Sequence, residues 1–228
     1  MSQEKVFLSE EANAWFRRNS SASVVAASSE EIVLKSIASV DIPASGTLID
    51  VGGGAGRIAE GFRRQYPGWD CKVFEPSLEA ISAGQSLFSD LEFRAGSICQ
   101  PEGIPWQGAD MIVVSGVFCW VDRELLSRAV CNVDSALKNG GLLVITDFDS
   151  PSMRRNPYKY YPEIYTYKQD YAGIFPELGI YHLVYQKSEV LDNSSGFDKS
   201  DYYDRQWVTS ILKKDVTNRY FMATKETQ

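Results

Sequence analysis

Histidine is almost missing from this chain: His182 stands alone among 228 residues. Four cysteines, at 71, 99, 119 and 131, form no CxxC pair. With one histidine and no paired thiols no metal site is expected, and Cys71, Cys99 and Cys119, in or beside apolar runs, read as reduced core thiols. Positive charge is also short. Lys and Arg number 23 against 30 Asp and Glu, for a formal net charge of −7, which argues against broad capture of nucleic acid or an anionic membrane. No uninterrupted apolar run approaches the roughly 20 residues that span a bilayer. Residues 1–5 lack the basic start and apolar core of a signal peptide. A cytoplasmic protein is expected.

What is present is a strand and helix alternation. The first forty residues read as two helices, one starting near Ser9 and broken by residues 20–23, the next opening at 29–31 with Ile32, Val33, Ile37 and Val40 as apolar positions. Residues 47–51 then form a short apolar strand, followed by a glycine turn and a helix over 57–66 that Pro67 stops. Strands are expected over 71–75, 91–95, 111–114 and 142–146, with a short helix after Ser77 and a longer one over 122–137 ended by Asn139-Gly140-Gly141. Such alternation implies right-handed crossovers and a parallel sheet covered on both faces, and the continuously apolar strands agree. Beyond Pro151 the texture changes. Residues 152–171 are rich in tyrosine and carry Arg154, Arg155 and Lys159; strands are expected over 181–185 and 207–212, with a polar loop over 191–205 between them.

The turn Gly52-Gly53-Gly54-Ala55-Gly56 follows the first strand, where sheets of this kind bind ligands. Glycines let the backbone pass close to a ligand, and the next helix offers free N–H groups. A dinucleotide fingerprint wants glycine at the first, third and sixth positions; counting from Gly52, the sixth is Arg57. Asp50, just before the turn, would repel a pyrophosphate but attract the ammonium of an amino-acid ligand. Glu75 ends the second strand, where a carboxylate accepts ribose hydroxyls.

Residues 48–56 resemble the first motif of class I S-adenosylmethionine-dependent methyltransferases. Val73-Phe74-Glu75-Pro76-Ser77 resembles their acidic second-strand motif, and residues 93–98 the segment that meets the adenine, although the family often has Asp where Ser97 stands. Residues 109–118 and 137–145 resemble the fourth strand with its exit loop and the approach to the fifth. The resemblance implies a Rossmann-like doubly wound α/β fold, with a mostly parallel seven-stranded sheet, an antiparallel C-terminal strand pair and an N-terminal helical lid. It also implies one domain over 1–228: a cap over 1–45, a cofactor-binding core over 46–150, an acceptor-side insertion over 151–180 and C-terminal strands over 181–228. Gly52, Gly54 and Gly56 would line the methionine portion of S-adenosylmethionine, and Glu75 with Pro76 would meet its ribose. Ser97 and Ile98 would meet its adenine, Ser115 and Phe118 would flank it, and Arg18 would reach its carboxylate. S-adenosylhomocysteine would be the product.

Methyl transfer from a sulfonium is an in-line displacement, so alignment and dehydration supply much of the rate. A base is needed chiefly for a poorly acidic acceptor; Asp147, ending the fifth strand, is the first candidate, and His182 reads as a strand residue. Ser115-Gly116-Val117-Phe118 stands where methyltransferases of amide or base nitrogens often carry Asn-Pro-Pro-Tyr. With the acidic balance, this points to a small-molecule acceptor rather than nucleic acid or membrane. Tyrosine walls and the cations at 154, 155 and 159 suggest O-methylation of an anionic sugar or natural-product-like metabolite. Two alternatives stay open, a non-catalytic adenosyl-ligand partner protein and a nicotinamide-dependent oxidoreductase. The sequence leaves the oligomeric state open.

Overall fold

The structure, a computed structural model, describes residues 2–29, 31–190 and 206–218. The loop expected over 191–205 lies outside the described residues, as does Glu30 in the segment expected to open the second helix.

Five parallel strands, β1 (Gly46–Val51), β2 (Trp69–Glu75), β3 (Glu92–Ala95), β4 (Ala109–Ser115) and β5 (Leu137–Phe148), form most of one sheet. A hairpin, β6 (Arg154–Tyr158) with β7 (Tyr161–Lys168), stands apart as a two-stranded sheet. The chain then returns through β8 (Tyr181–Val190) and β9 (Gln206–Lys214), and β9 runs antiparallel to both β5 and β8. The seven-stranded order is β3-β2-β1-β4-β5-β9-β8. Strand order reverses between β1 and β4, and the crevice at such a reversal is where open α/β sheets take their ligands.

The helices are α1 (Gln3–Val6), a π turn (Phe7–Glu11), α2 (Ala12–Ser23), α3 (Ile32–Ile37), α4 (Arg57–Gln65), α5 (Leu78–Leu87) and α6 (Leu126–Ala136). Alternate strand residues feed two separate cores. Ile49, Val114 and Ile145 pack with Ala129 and Val133 of α6, whereas Leu48, Val113 and Val144 pack with Ile58 and Phe62 of α4 and with α3. Both faces are therefore buried, which is why these strands carry no polar alternation.

Three segments depart from the expectation. The N-terminal helix begins at Gln3, where the Ser2 hydroxyl caps Lys5 N–H at 3.4 Å, and not at Ser9, which lies inside the π turn. The serines at 20–23 do not break α2, since Ser20 Oγ bonds back to the Arg17 carbonyl at 3.2 Å and leaves the helix intact. The helix expected over 122–137 is shortened to 126–136, because Leu137 already pairs with Ala109 of β4. Between Ala109 and Met111 the partner strand β5 advances from Leu137 to Leu142, and Gly140 carries that bulge at φ +83°. Asn139-Gly140-Gly141 is thus an excursion within a strand, not a helix stop.

Candidate active site

A cavity of about 430 Å³ opens at the carboxyl ends of β1, β2 and β4, within the usual range for small-molecule sites. Gly52 and Gly54 line it, with Glu75, Pro76, Ser97, Ile98 and Ser115. Gly54, at φ +58°, faces open space where a Cβ would meet nothing within 4 Å. Gly56, at φ +82°, is the N-cap of α4 and lies against Leu91, which an added Cβ would approach to 2.8 Å. Gly56 therefore supports the turn from beneath and does not line the cavity.

Two carboxylates sit around this turn. Glu75 is held from both sides, its Oε2 accepting Gly54 N–H at 2.9 Å and its Oε1 accepting Ser77 N–H at 2.8 Å. Each oxygen keeps a further lone pair. Asp50 is buried directly below the turn, its carboxyl carbon 2.6 Å from where a Gly53 Cβ would sit. Its Oδ2 has no hydrogen-bond partner. Burial pushes each acid up to about 7, in Asp50 with a contribution from the charge of Glu75, against backbone N–H groups that favour the ionised form.

The loop after β3 forms another wall. Ser97 Oγ accepts Cys99 N–H at 3.0 Å and donates to Glu4 Oε1, so a carboxylate from α1 reaches the cavity here. Sequence reasoning missed Glu4. Ser2, the N-cap of α1, is the one local signal that a helix places Glu4.

The N-terminal helix closes the cavity as a lid. Phe7, Leu8, Trp15 and Phe16 line it, opposite Val117, Trp120, Phe148 and Trp207. Gln3 fastens the lid by donating to the carbonyls of Trp120 (2.7 Å) and Tyr165 (2.8 Å) and accepting Tyr165 N–H at 2.9 Å. Asn13 accepts the Ser77 hydroxyl at 2.7 Å at the start of α5. Trp120 and Trp207 carried no motif in sequence; only the fold brings the exit of β4 and the start of β9 together.

Several expected residues stand elsewhere. Arg18 pairs with Glu11 and Tyr158 Oη (2.8 Å) and lies over the Tyr160 ring at 4.1 Å, so it ties lid to hairpin and does not line the cavity. Phe118 is core, stacked on Tyr171 with ring centroids 5.6 Å apart. Asp147 is buried outside the cavity lining, its Oδ1 accepting Phe148 N–H at 2.7 Å and its Oδ2 accepting Cys119 N–H at 3.1 Å. Burial pushes it up to about 6. It anchors the loop after β4. His182 lies on β8 and is not among the lining residues, and Arg154, Arg155 and Lys159 are not either. Among the described residues, no helix is long and apolar enough to cross a membrane.

A doubly wound sheet closed by an antiparallel pair, with its cavity over a glycine turn at the strand reversal, defines a Rossmann-like cofactor enzyme. Residues 29–188 match the family model described as a methyltransferase domain, and the chain belongs to that family. Its methyl donor is S-adenosylmethionine, and its product S-adenosylhomocysteine.

Solved structures with the same fold include a S-adenosylmethionine-dependent methyltransferase of Methanosarcina mazei, 14% identical with a TM-score of 0.61, the match covering 77% of this chain and 95% of the other. The 1,6-didemethyltoxoflavin-N1-methyltransferase of Burkholderia thailandensis is 15% identical with a TM-score of 0.64, covering 93% and 88%. A TehB-like methyltransferase of Corynebacterium glutamicum is 17% identical with a TM-score of 0.59, covering 90% and 97%. No curated protein sequence matches the chain.

Proposed function

We propose that the cavity binds S-adenosylmethionine along the glycine turn and holds a small, flat, largely apolar acceptor beneath the lid. The residues fit the cofactor. Glu75, fixed by two backbone N–H groups, keeps lone pairs for the ribose hydroxyls, whereas Asp50 stays buried beneath the turn, outside the cavity lining, and supports the turn instead of meeting the ligand. Gly54 leaves room for close approach, and the Ser97–Ile98 loop faces the adenine. When bound, the cofactor supplies an electrophilic methyl on a sulfonium.

The acceptor reading rests on the walls. The remaining lining is dominated by Phe7, Leu8, Trp15, Phe16, Trp120, Phe148 and Trp207, whereas the cations of the hairpin stand outside it. A sugar would leave several hydroxyls unpaired against such walls, at a cost of about 1–3 kcal/mol each, and an anion would find no counter-charge. With Asp147 outside the lining, the acceptor oxygen has to be acidic enough to ionise by itself, as in a phenolic or enolic natural product. O-methylation of such a hydroxyl is the first reading; an aromatic ring nitrogen satisfies the same walls. The aromatic lining of the acceptor side is the observation that carries it.

A screen with labelled methyl donor tests this directly. Turnover is expected with phenolic or enolic aromatics and not with sugars or sugar phosphates. Preferential methylation of a sugar phosphate would overturn the acceptor reading.

A further inference from the structure

We propose that Glu4, carried on the N-terminal helix, accepts a hydrogen bond from the exocyclic amine of adenine, so that the lid itself reads the nucleobase. This rests on the reading of the cavity as the S-adenosylmethionine site. Two carboxylates line that cavity, Glu75 and Glu4. Glu75 is fixed at the end of β2 by Gly54 and Ser77, which leaves Glu4 as the carboxylate at the 96–98 wall. A base edge is distinguished there by an acceptor that matches its amine. The Ser97 hydroxyl spends its one hydrogen on Glu4 and accepts from Cys99, so the stronger acceptor at this wall is the carboxylate.

Glu4 is also rigidly presented. Its own N–H donates to Asp122 Oδ2 at 3.0 Å, and the adjacent Gln3 amide grips Trp120 and Tyr165. Burial raises its pKa above the ordinary carboxylate value, opposed by the hydrogen bond from the Ser97 hydroxyl and reinforced by the negative charge of Asp122. An additional donor from a ligand relieves that cost, so adenine binding and lid docking strengthen one another. Reciprocity follows: whatever loosens the lid weakens the cofactor, and the reverse.

Calorimetry with S-adenosylhomocysteine and its inosine analogue, which carries a carbonyl in place of the amine, separates the cases. Wild type is expected to prefer the adenine ligand by at least tenfold, because a site built around an acceptor rejects a ligand that presents another acceptor. In Glu4→Gln, whose amide both donates and accepts, that preference should collapse to near unity. An unchanged preference in a Glu4→Gln protein with native melting behaviour overturns the role of Glu4 and leaves the cavity assignment standing. Binding of neither ligand by wild type overturns both. Should Glu4→Gln fail to fold, Glu4→Asp, which keeps the charge but withdraws the carboxylate by one methylene, carries the test: a weakened adenine preference at native melting behaviour supports the role of Glu4, and an unchanged preference overturns it.

Discussion

Glu11 and Arg18 lie seven residues apart on the N-terminal helix, and one oxygen, Glu11 Oε1, accepts from both the Arg18 guanidinium and the Tyr158 hydroxyl of the hairpin. Glu11 is 0% exposed. A single buried carboxylate oxygen thus joins the lid to β6, and removing its cation would strand a charge away from water.

For Arg18→Ala a stability loss of about 1–3 kcal/mol is expected, reduced from the cost of a fully buried pair because the arginine is partly exposed. In a chain of this size that lowers Tm by roughly 2–12 °C. S-adenosylhomocysteine affinity should fall together with Tm, because a loosened lid weakens the cofactor even though Arg18 does not line the cavity. A loss beyond tenfold at unchanged Tm would return Arg18 to the cofactor carboxylate.

The glycines of the turn should separate binding from folding. Gly54→Ala puts a methyl into the space beside Glu75 and costs about 1 kcal/mol of backbone strain at positive φ, so cofactor affinity should fall much more than Tm. Gly56→Ala drives a Cβ to 2.8 Å from Leu91 and 3.0 Å from Phe93, so Tm should fall first. Calorimetry beside thermal melts reads both. The reverse ranking would mean that Gly56, not Gly54, touches the ligand.

Cofactor binding should release protons. In the free protein burial pushes Glu75 and Asp50 up to about 7 from ordinary values of 4.5 and 3.8. The fold therefore retains protons that the unfolded chain gives up as pH rises from about 4 to 7, and stability falls across that window. Ribose hydroxyls favour the ionised form of Glu75, so S-adenosylhomocysteine affinity is expected to rise several-fold between about pH 6 and 8. Glu75→Gln should flatten part of that rise while lowering affinity overall. A wild-type affinity independent of pH over this range would show that neither acid changes its protonation on binding.

Much was legible in the residues because β strands buried on both faces must be apolar throughout, and because glycines and acids at strand ends are local features. Val51, Gly52 and Gly54, then Glu75, then Gly96, Ser97 and Ile98 line one cavity, in the order in which the chain presents them. Where local signals competed, the tertiary structure overrode them. Leu137 leaves the helix because β4 offers it a strand partner, and the helix runs on through Ser20, whose hydroxyl bonds back to the Arg17 carbonyl.

By itself, then, the sequence determined the alternating sheet, the glycine turn and the methyl donor, because these depend on residues close together in the chain. Only the tertiary structure decided what surrounds the acceptor. It turned Arg18 to the hairpin, sank Phe118 and Asp147 beside the cavity instead of in it, and brought Glu4 to Ser97 across 93 residues of chain. Those outcomes depend on how distant segments pack, and no local pattern of residues encodes that packing.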